Sequence, residues 1–345
     1  MPSKGPRRRF AVRGLVVVAA LLSIGAGAEA QQFAAKNVNL VVGFPPGGGY
    51  DSAARIFARH YGKSLPGSPG VVVQNQPGAG SLTAANLLYN TAVKDGSHIT
   101  MFASSAALEP LIGNPLAKFD ANRFEWIGNL NRDTPACGAW VTSGIATWED
   151  AIKKGAKFGA SGPAAVTAQH ALFLKNVLGA PFGVVMGFGG TGPIMLAMQR
   201  GEVDASCGMF ISSVRGSFRD DYENGNLRIF IQFGKQNLPY FKGAANIYAL
   251  VKTDEDRKLA EFIFAAAEVT RPLAAPPDTP AAIVAALRAG FDKTVRDPEY
   301  LADLSKARLE SEPMSGAETA AAFKSIINSP KSVIDRAKDV VVPPK

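Results

Sequence analysis

Four times in this chain an apolar run ends in a loop rich in glycine or proline that opens a helical pattern. Residues 38–42 lead through Phe44-Pro45-Pro46-Gly47-Gly48-Gly49-Tyr50-Asp51 into a helix with apolar Ala53, Ile56, Phe57 and Tyr61. Residues 71–75 lead through Gln76-Pro77-Gly78-Ala79-Gly80 into a helix over 81–93, and Asp95-Gly96 turns into a third strand that ends at Ser104-Ser105. Residues 157–161 turn at Ser161-Gly162-Pro163 into a helix over 167–178. Residues 182–186 run into Gly187-Phe188-Gly189-Gly190-Thr191-Gly192, with Pro193 in the first turn of the next helix. Strand and helix alternating in this way predict an α/β fold with largely parallel sheets. In such sheets the loop-bearing strand ends lie on one edge, where open α/β sheets hold ligands. Glycines bring bare backbone N–H groups close to a ligand, and the first turn of a helix adds unpaired donors and partial positive charge. That combination suits a carboxylate as well as a phosphate.

The first thirty residues read as a leader. Lys4, Arg7, Arg8, Arg9 and Arg13 precede a short apolar stretch rich in small residues, and Ala28-Glu29-Ala30 fits a cleavage site. Arg7-Arg8-Arg9-Phe10 partly fits a twin-arginine signal, with Pro6 where Ser or Thr is usual, so the export route stays open. An uncleaved anchor is the competing reading. Removing 1–30 lowers the formal net charge of +8 by four, and no basic stripe with interleaved aromatics suggests nucleic acid. The remainder, about 315 residues, exceeds one comfortable core, so two domains are expected. Cys137 and Cys207 lie in strand-like runs of an exported chain. A disulfide and two buried thiols are equally compatible with that placement.

The middle third carries its own strands, through 203–209 and 227–233, and a capping box at Thr147-Trp148-Glu149-Asp150. From Pro276-Pro277-Asp278-Thr279-Pro280 onward the pattern is helical and amphipathic, and a tail of that kind packs most simply on the first sheet. The expected organisation is a leader over 1–30, a first lobe of 31–135 with 248–345, and an inserted second lobe of 136–247, with a ligand between them.

Several constellations have blander rivals. Gly187-x-Gly189-x-x-Gly192 matches a dinucleotide fingerprint, but no acidic residue ends the next strand, since Asp204 stands at that strand's start. A second anion-receiving helix start fits better. Gly159-Ala160-Ser161-Gly162-Pro163 imitates a nucleophile elbow, with His170 and Asp204 as partners, yet Pro163 replaces the last glycine. Asp51 in a helix's first turn reads mainly as a cap. His60 and His98 read as local packing residues, and three scattered histidines with two cysteines offer no metal cluster. The stretches around Arg271 and Lys331 read as solvated faces.

Taken together, these residues resemble the Bug family, the periplasmic solute receptors of tripartite tricarboxylate transporters. Phe44 to Asp51 is similar to its F-P-P-G-G-x-x-D signature, and Asn75-Gln76-Pro77-Gly78-Ala79-Gly80 to its N-x-P-G-A-G turn. Asp95-Gly96, Gly201 with Val203-Asp204, and Thr279-Pro280 follow in the family's order, over about residues 37–340. The resemblance departs at Ser97-His98, where Tyr-Thr is usual, and in the stretched spacing from Ser161 to His170. It implies a type II periplasmic binding protein-like fold, with two α/β lobes closing on a small organic carboxylate. It further implies delivery to the membrane subunits of such a transporter, a periplasmic location, no cofactor and no enzyme activity; a monomer is expected. The ligand-binding set expected from residues and resemblance is Phe44, Pro46, Gly47, Gly48, Gly49, Tyr50 and Asp51 on the first loop, with Gly80, Ser81 and Ser104 beside it. From the second lobe it takes Ser161, Gly162, Thr167, His170, Gly190, Thr191 and Asp204. The alternative is a secreted serine hydrolase acting on a small ester or amide through Ser161 and His170.

Overall fold

The computed structural model describes residues 1–3, 5, 33 and 35–341. The chain divides into Met1–Gln32 and a compact unit, Phe33–Lys345, which carries all the described secondary structure. The leader expected over 1–30, with cleavage near Ala30, lies outside the described residues except for positions 1–3 and 5.

Two six-stranded sheets organise the compact unit. The first contains β1 (Asn37–Val42), β2 (Gly70–Asn75), β3 (His98–Met101), β4 (Glu125–Asn129), β11 (Pro272–Ala275) and β12 (Met314–Ser315), in the spatial order β12-β4-β11-β3-β1-β2. The second contains β5 (Pro135–Trp140), β6 (Lys157–Gly159), β7 (Gly183–Val185), β8 (Ala205–Phe210), β9 (Leu227–Gln232) and β10 (Ala245–Asn246), in the order β10-β9-β5-β8-β6-β7. Each has a parallel centre: β1 between β2 and β3, and β6 between β7 and β8. Each then turns antiparallel, at β11 against β3 and at β5 against β8, so the sheets are mixed. The α-helices of the described residues are α1 (Gly49–Ser64), α2 (Leu82–Asn90), α3 (Trp148–Lys154), α4 (Val166–Asn176), α5 (Thr191–Gln199), α6 (Ile211–Arg215), α7 (Arg219–Glu223), α8 (Ile247–Leu250), α9 (Asp254–Ala265), α10 (Ala281–Thr294), α11 (Pro298–Lys306), α12 (Gly316–Ile327) and α13 (Lys331–Val341). Among the described residues no helix is long and apolar enough to cross a membrane.

Local chemistry explains the boundaries. Thr147 accepts from the Asp150 N–H while the Asp150 carboxylate accepts from the Thr147 N–H, which is the expected capping box at the start of α3. β1 buries Val38, Leu40 and Val42 completely, and these pack with Phe57 and Tyr61 of α1 and Leu287 and Phe291 of α10. Such burial stabilises by roughly 1.5–3 kcal/mol per large apolar side chain.

The tail behaves differently from the expectation that it all packs on the first sheet. Helices α10, α11 and α12 do pack there, through α1 and β4. Helix α13 lies instead against α4 of the second sheet, together with α9, which precedes the tail; Ile263, Phe264, Ala337 and Val340 share a core cluster with Phe173 and Leu174. Amphipathic period shows that a helix has an apolar face, but not which sheet that face meets. The chain therefore crosses between the sheets after β4, before β11 and after α12. Two of the crossing segments run side by side, since the Leu130 N–H donates to Arg271 O and the Thr270 N–H to Asn131 O.

Candidate functional site

The first loop is built by Asp51. One carboxylate oxygen accepts from the Gly47 N–H and from Arg55 Nε, and the other from Asn75 Nδ2, which also donates to Phe44 O. Burial works against its ionisation, but these hydrogen bonds outweigh it and hold the carboxyl below the usual range. Gly47 takes φ +85°, a conformation that favours glycine. The result is a rigid turn that aims the N-terminus of α1 between the two sheets.

A cavity of about 70 Å³ lies there. Phe44, Pro45, Pro46, Gly48, Gly49, Tyr50 and Ala103 line it from the first sheet's side. Ser161, Ala165, Val166, Thr167, Gly190 to Pro193, Gly208, Phe210 and Ser213 line it from the second. The first turns of α1, α4 and α5 all border this space, so three sets of unpaired helical N–H groups converge on it. Gly208, at φ +71°, lets α4 come this close, because a Cβ there would stand 2.9 Å from the Thr167 N. Ser161 and Thr167 share a hydroxyl–hydroxyl bond of 3.0 Å.

At the cavity wall sits Arg271, 3% exposed, on a crossing segment just before β11. Its Nη2 donates to Ser212 Oγ at 3.0 Å, and Nη1 lies 3.9 Å from the fully buried Asp133 carboxylate. Its Nε–H is buried without a partner among the described residues. The guanidinium also stands 5.9 Å over the Tyr50 ring. The Tyr50 hydroxyl donates to Thr270 O, and burial pushes its pKa up, so it stays a neutral donor. The sequence reading of Arg271 as part of a solvated face is therefore corrected. The signal that was available is its position at the head of the apolar run Pro272–Ala275, where a charge is forced inward.

Nine of the expected site residues line this cavity: Phe44, Pro46, Gly48, Gly49, Tyr50, Ser161, Thr167, Gly190 and Thr191. The others are placed elsewhere. Gly47 and Asp51 form the turn behind it. Ser81 is buried and accepts from the Ala103 N–H at 2.7 Å, and Ser104 is buried nearby. Gly80 and Gly162 meet one another, so that a Cβ on Gly162 would lie 2.7 Å from the Gly80 N. His170 is packed 4.4 Å from the Phe233 ring and 4.8 Å from Phe264, and burial pushes its pKa down to about 3. Asp204 accepts from the Lys157 N–H and pairs with Lys154 at the opposite end of β8. Ser161 thus has Thr167, not His170, as its hydroxyl partner, and the hydrolase triad is not assembled. Pro45, Ala103, Ala165, Val166, Gly192, Pro193, Gly208, Phe210, Ser213 and Arg271 line the cavity although they were outside the expected ligand-binding set. Cys137 and Cys207, left open by the sequence, are bonded across β5 and β8.

Residues 53–338 match the tripartite tricarboxylate transporter family receptor, TctC. The chain belongs to this family. Among curated proteins, BugT of Bordetella pertussis is 39% identical over 101 residues, 29% of either chain. The UPF0065 protein in the gbd 5' region of Cupriavidus necator is 37% identical over 90 residues, 25% of this chain and 27% of that one. The matches thus span less than a third of those relatives' own lengths. Solved structures share the two-lobed fold of this receptor. The periplasmic binding protein BugD superposes with a TM-score of 0.72 at 19% identity, covering 88% of this chain and 98% of that one. MatC (Rpa3494) of Rhodopseudomonas palustris with bound malate gives 0.67 at 19%, covering 86% and 98%. Rpa4515 of the same organism with adipate gives 0.67 at 17%, covering 88% and 98%.

Proposed function

We propose that this TctC-family receptor captures a small organic carboxylate in the cavity between its sheets and delivers it to the membrane subunits of a tripartite tricarboxylate transporter. The observation that carries the reading is the buried Arg271 guanidinium on a cavity bordered by three helix N-termini. A buried cation facing unpaired N–H donors favours a compact anion, and a planar guanidinium suits a carboxylate. The malate and adipate held by structural neighbours are consistent with that chemistry. The protein works as an exported periplasmic monomer with its leader removed near Ala30, and it performs no catalysis.

The lobes are 31–135 with 248–345, and 136–247, with α9 and α13 leaning across onto the second. Closure about the crossing segments brings Pro45 of the first loop against Gly189 and Gly190, and Gly80 against Gly162 and Ala165. The site residues proposed to touch ligand are the nine expected lining residues together with Ser213 and Arg271.

Calorimetric titration with malate, adipate, citrate and an aromatic carboxylate is expected to show one saturable site per chain for at least one of them. Calorimetry is preferred because Trp126, Trp140 and Trp148 do not line the cavity. No binding by any of these acids, or turnover of a small ester, overturns the reading. Closure can be tested separately. A methyl at Gly162 would press on the Gly80 backbone, so Gly162→Ala is expected to cost closure about 1–3 kcal/mol, roughly a 5- to 150-fold weaker affinity. Thermal unfolding of the unliganded protein should change little; an unchanged affinity removes the two glycines from the closing contact.

A further inference from the structure

We propose that His60, Asp297 and Glu299 form a divalent-cation site, best suited to Zn²⁺, that clamps α1 to the start of α11. One ring nitrogen of His60 and one oxygen of each carboxylate all lie within 4.8 Å of one another. Two zinc bonds of about 2.0–2.2 Å place ligand atoms up to roughly 4 Å apart. A small inward movement of exposed carboxylates therefore completes three protein ligands and leaves a position for water.

A second observation separates this cluster from an ordinary group of surface ion pairs. His60 is 6% exposed, and its Nδ1 is buried with no hydrogen-bond partner among the described residues. Its other nitrogen, Nε2, lies 3.1 Å from Asp303 Oδ2. A carboxylate on one ring nitrogen fixes the proton there and leaves the lone pair on the other, which is the arrangement that outer carboxylates impose on metal-binding histidines. Asp303 also pairs with Arg59 and Lys306, so its charge is answered independently.

The carboxylates are available. One Asp297 oxygen caps α11 by accepting from the Glu299 N–H, which leaves the second oxygen. The Glu299 carboxylate pairs with Lys63 through Oε2, and both side chains are largely exposed, so this pair exchanges readily for a cation. Two carboxylates and a neutral imidazole carry the charge that neutralises a dication. An imidazole with two oxygens favours Zn²⁺ over Ca²⁺ or Mg²⁺, which take oxygen sets. The site was hidden in sequence because His60 and its partner Asp303 are 243 residues apart. It lies about eleven residues along α1 from the cavity, or roughly 16 Å, so it is distinct from the carboxylate site.

The test uses untagged protein in a titration of Zn²⁺ against a chromophoric chelator. One Zn²⁺ per chain is expected, with Ca²⁺ and Mg²⁺ failing to compete. His60→Gln and the exposed Glu299→Gln should each remove or sharply weaken it. Asp303→Asn, which alters a group that touches the imidazole and is not itself one of the three proposed ligands, should weaken it about 10- to 100-fold. No bound Zn²⁺, or binding unchanged in Glu299→Gln, overturns the proposal. Glu299→Gln decides the matter even if His60→Gln fails to fold.

Discussion

An Arg271→Met protein is expected to lose carboxylate binding and, without any ligand, about 3–5 kcal/mol of stability. The stability loss follows from Asp133, whose side chain is fully buried and has Arg271 as its charged partner. Removing one member of a buried pair leaves an uncompensated charge, which is what makes the single change severe. Burial already raises the Asp133 pKa and the Arg271 charge counteracts it, so the variant's Asp133 rises further. A raised folded pKa means that the folded state holds the proton more tightly. The deficit therefore shrinks as pH falls from neutral toward the unfolded value near about 4, and is greatest above the folded pKa.

Adding Asp133→Asn removes the stranded charge and is expected to restore most of the stability. It should not restore affinity, since a directly contacted carboxylate loses roughly 2–5 kcal/mol when its buried cation is truncated. Urea unfolding and calorimetry on the single and double variants check both halves. Carboxylate binding that survives in Arg271→Met would mean that helix N-termini alone hold the ligand.

Replacing both cysteines, as Cys137→Ala with Cys207→Ala, is expected to cost about 2–4 kcal/mol. The bond closes a loop of 70 residues, which contains α3, β6, α4, β7 and α5. A long loop leaves much freedom to the unfolded chain once it is opened. Both residues are wholly buried in the main cluster under the second sheet, so small cavities add to the loss. Cys207 is followed by Gly208, which admits α4 to the cavity, so affinity should weaken alongside stability. Urea unfolding of the oxidised parent and the double variant measures the cost, and a difference under about 0.5 kcal/mol would show that the ladder between β5 and β8 suffices without the bond.

Legibility in the sequence followed the range of the interactions. The Phe44-to-Asp51 loop could be read because strand, turn and helix start are consecutive and each has its own local chemistry. The same holds for the capping box at Thr147 and for the glycine loop before α5. His170 was misjudged for the opposite reason. Its place in the helix that follows Ser161 suggested a site, while Phe233 and Phe264, far along the chain, make it a neutral core residue. Strand β11 is four apolar residues with no alternation, and only pairing with β3 and β4 makes it a strand. Arg271 gained its role from that pairing.

By itself the sequence determined the α/β class, the loops that open helices toward one sheet edge, and membership in a receptor family. These depend on contacts between residues near in sequence and on backbone conformations that Gly, Pro and Asp impose locally. Only the tertiary structure decided that α9 and α13 cross to the second sheet, that Cys137 meets Cys207, and that Arg271 with Asp133 stands between the lobes. Those arrangements arise where segments distant in the chain exclude water together, and the desolvation that gives a charge its strength exists only once they have packed.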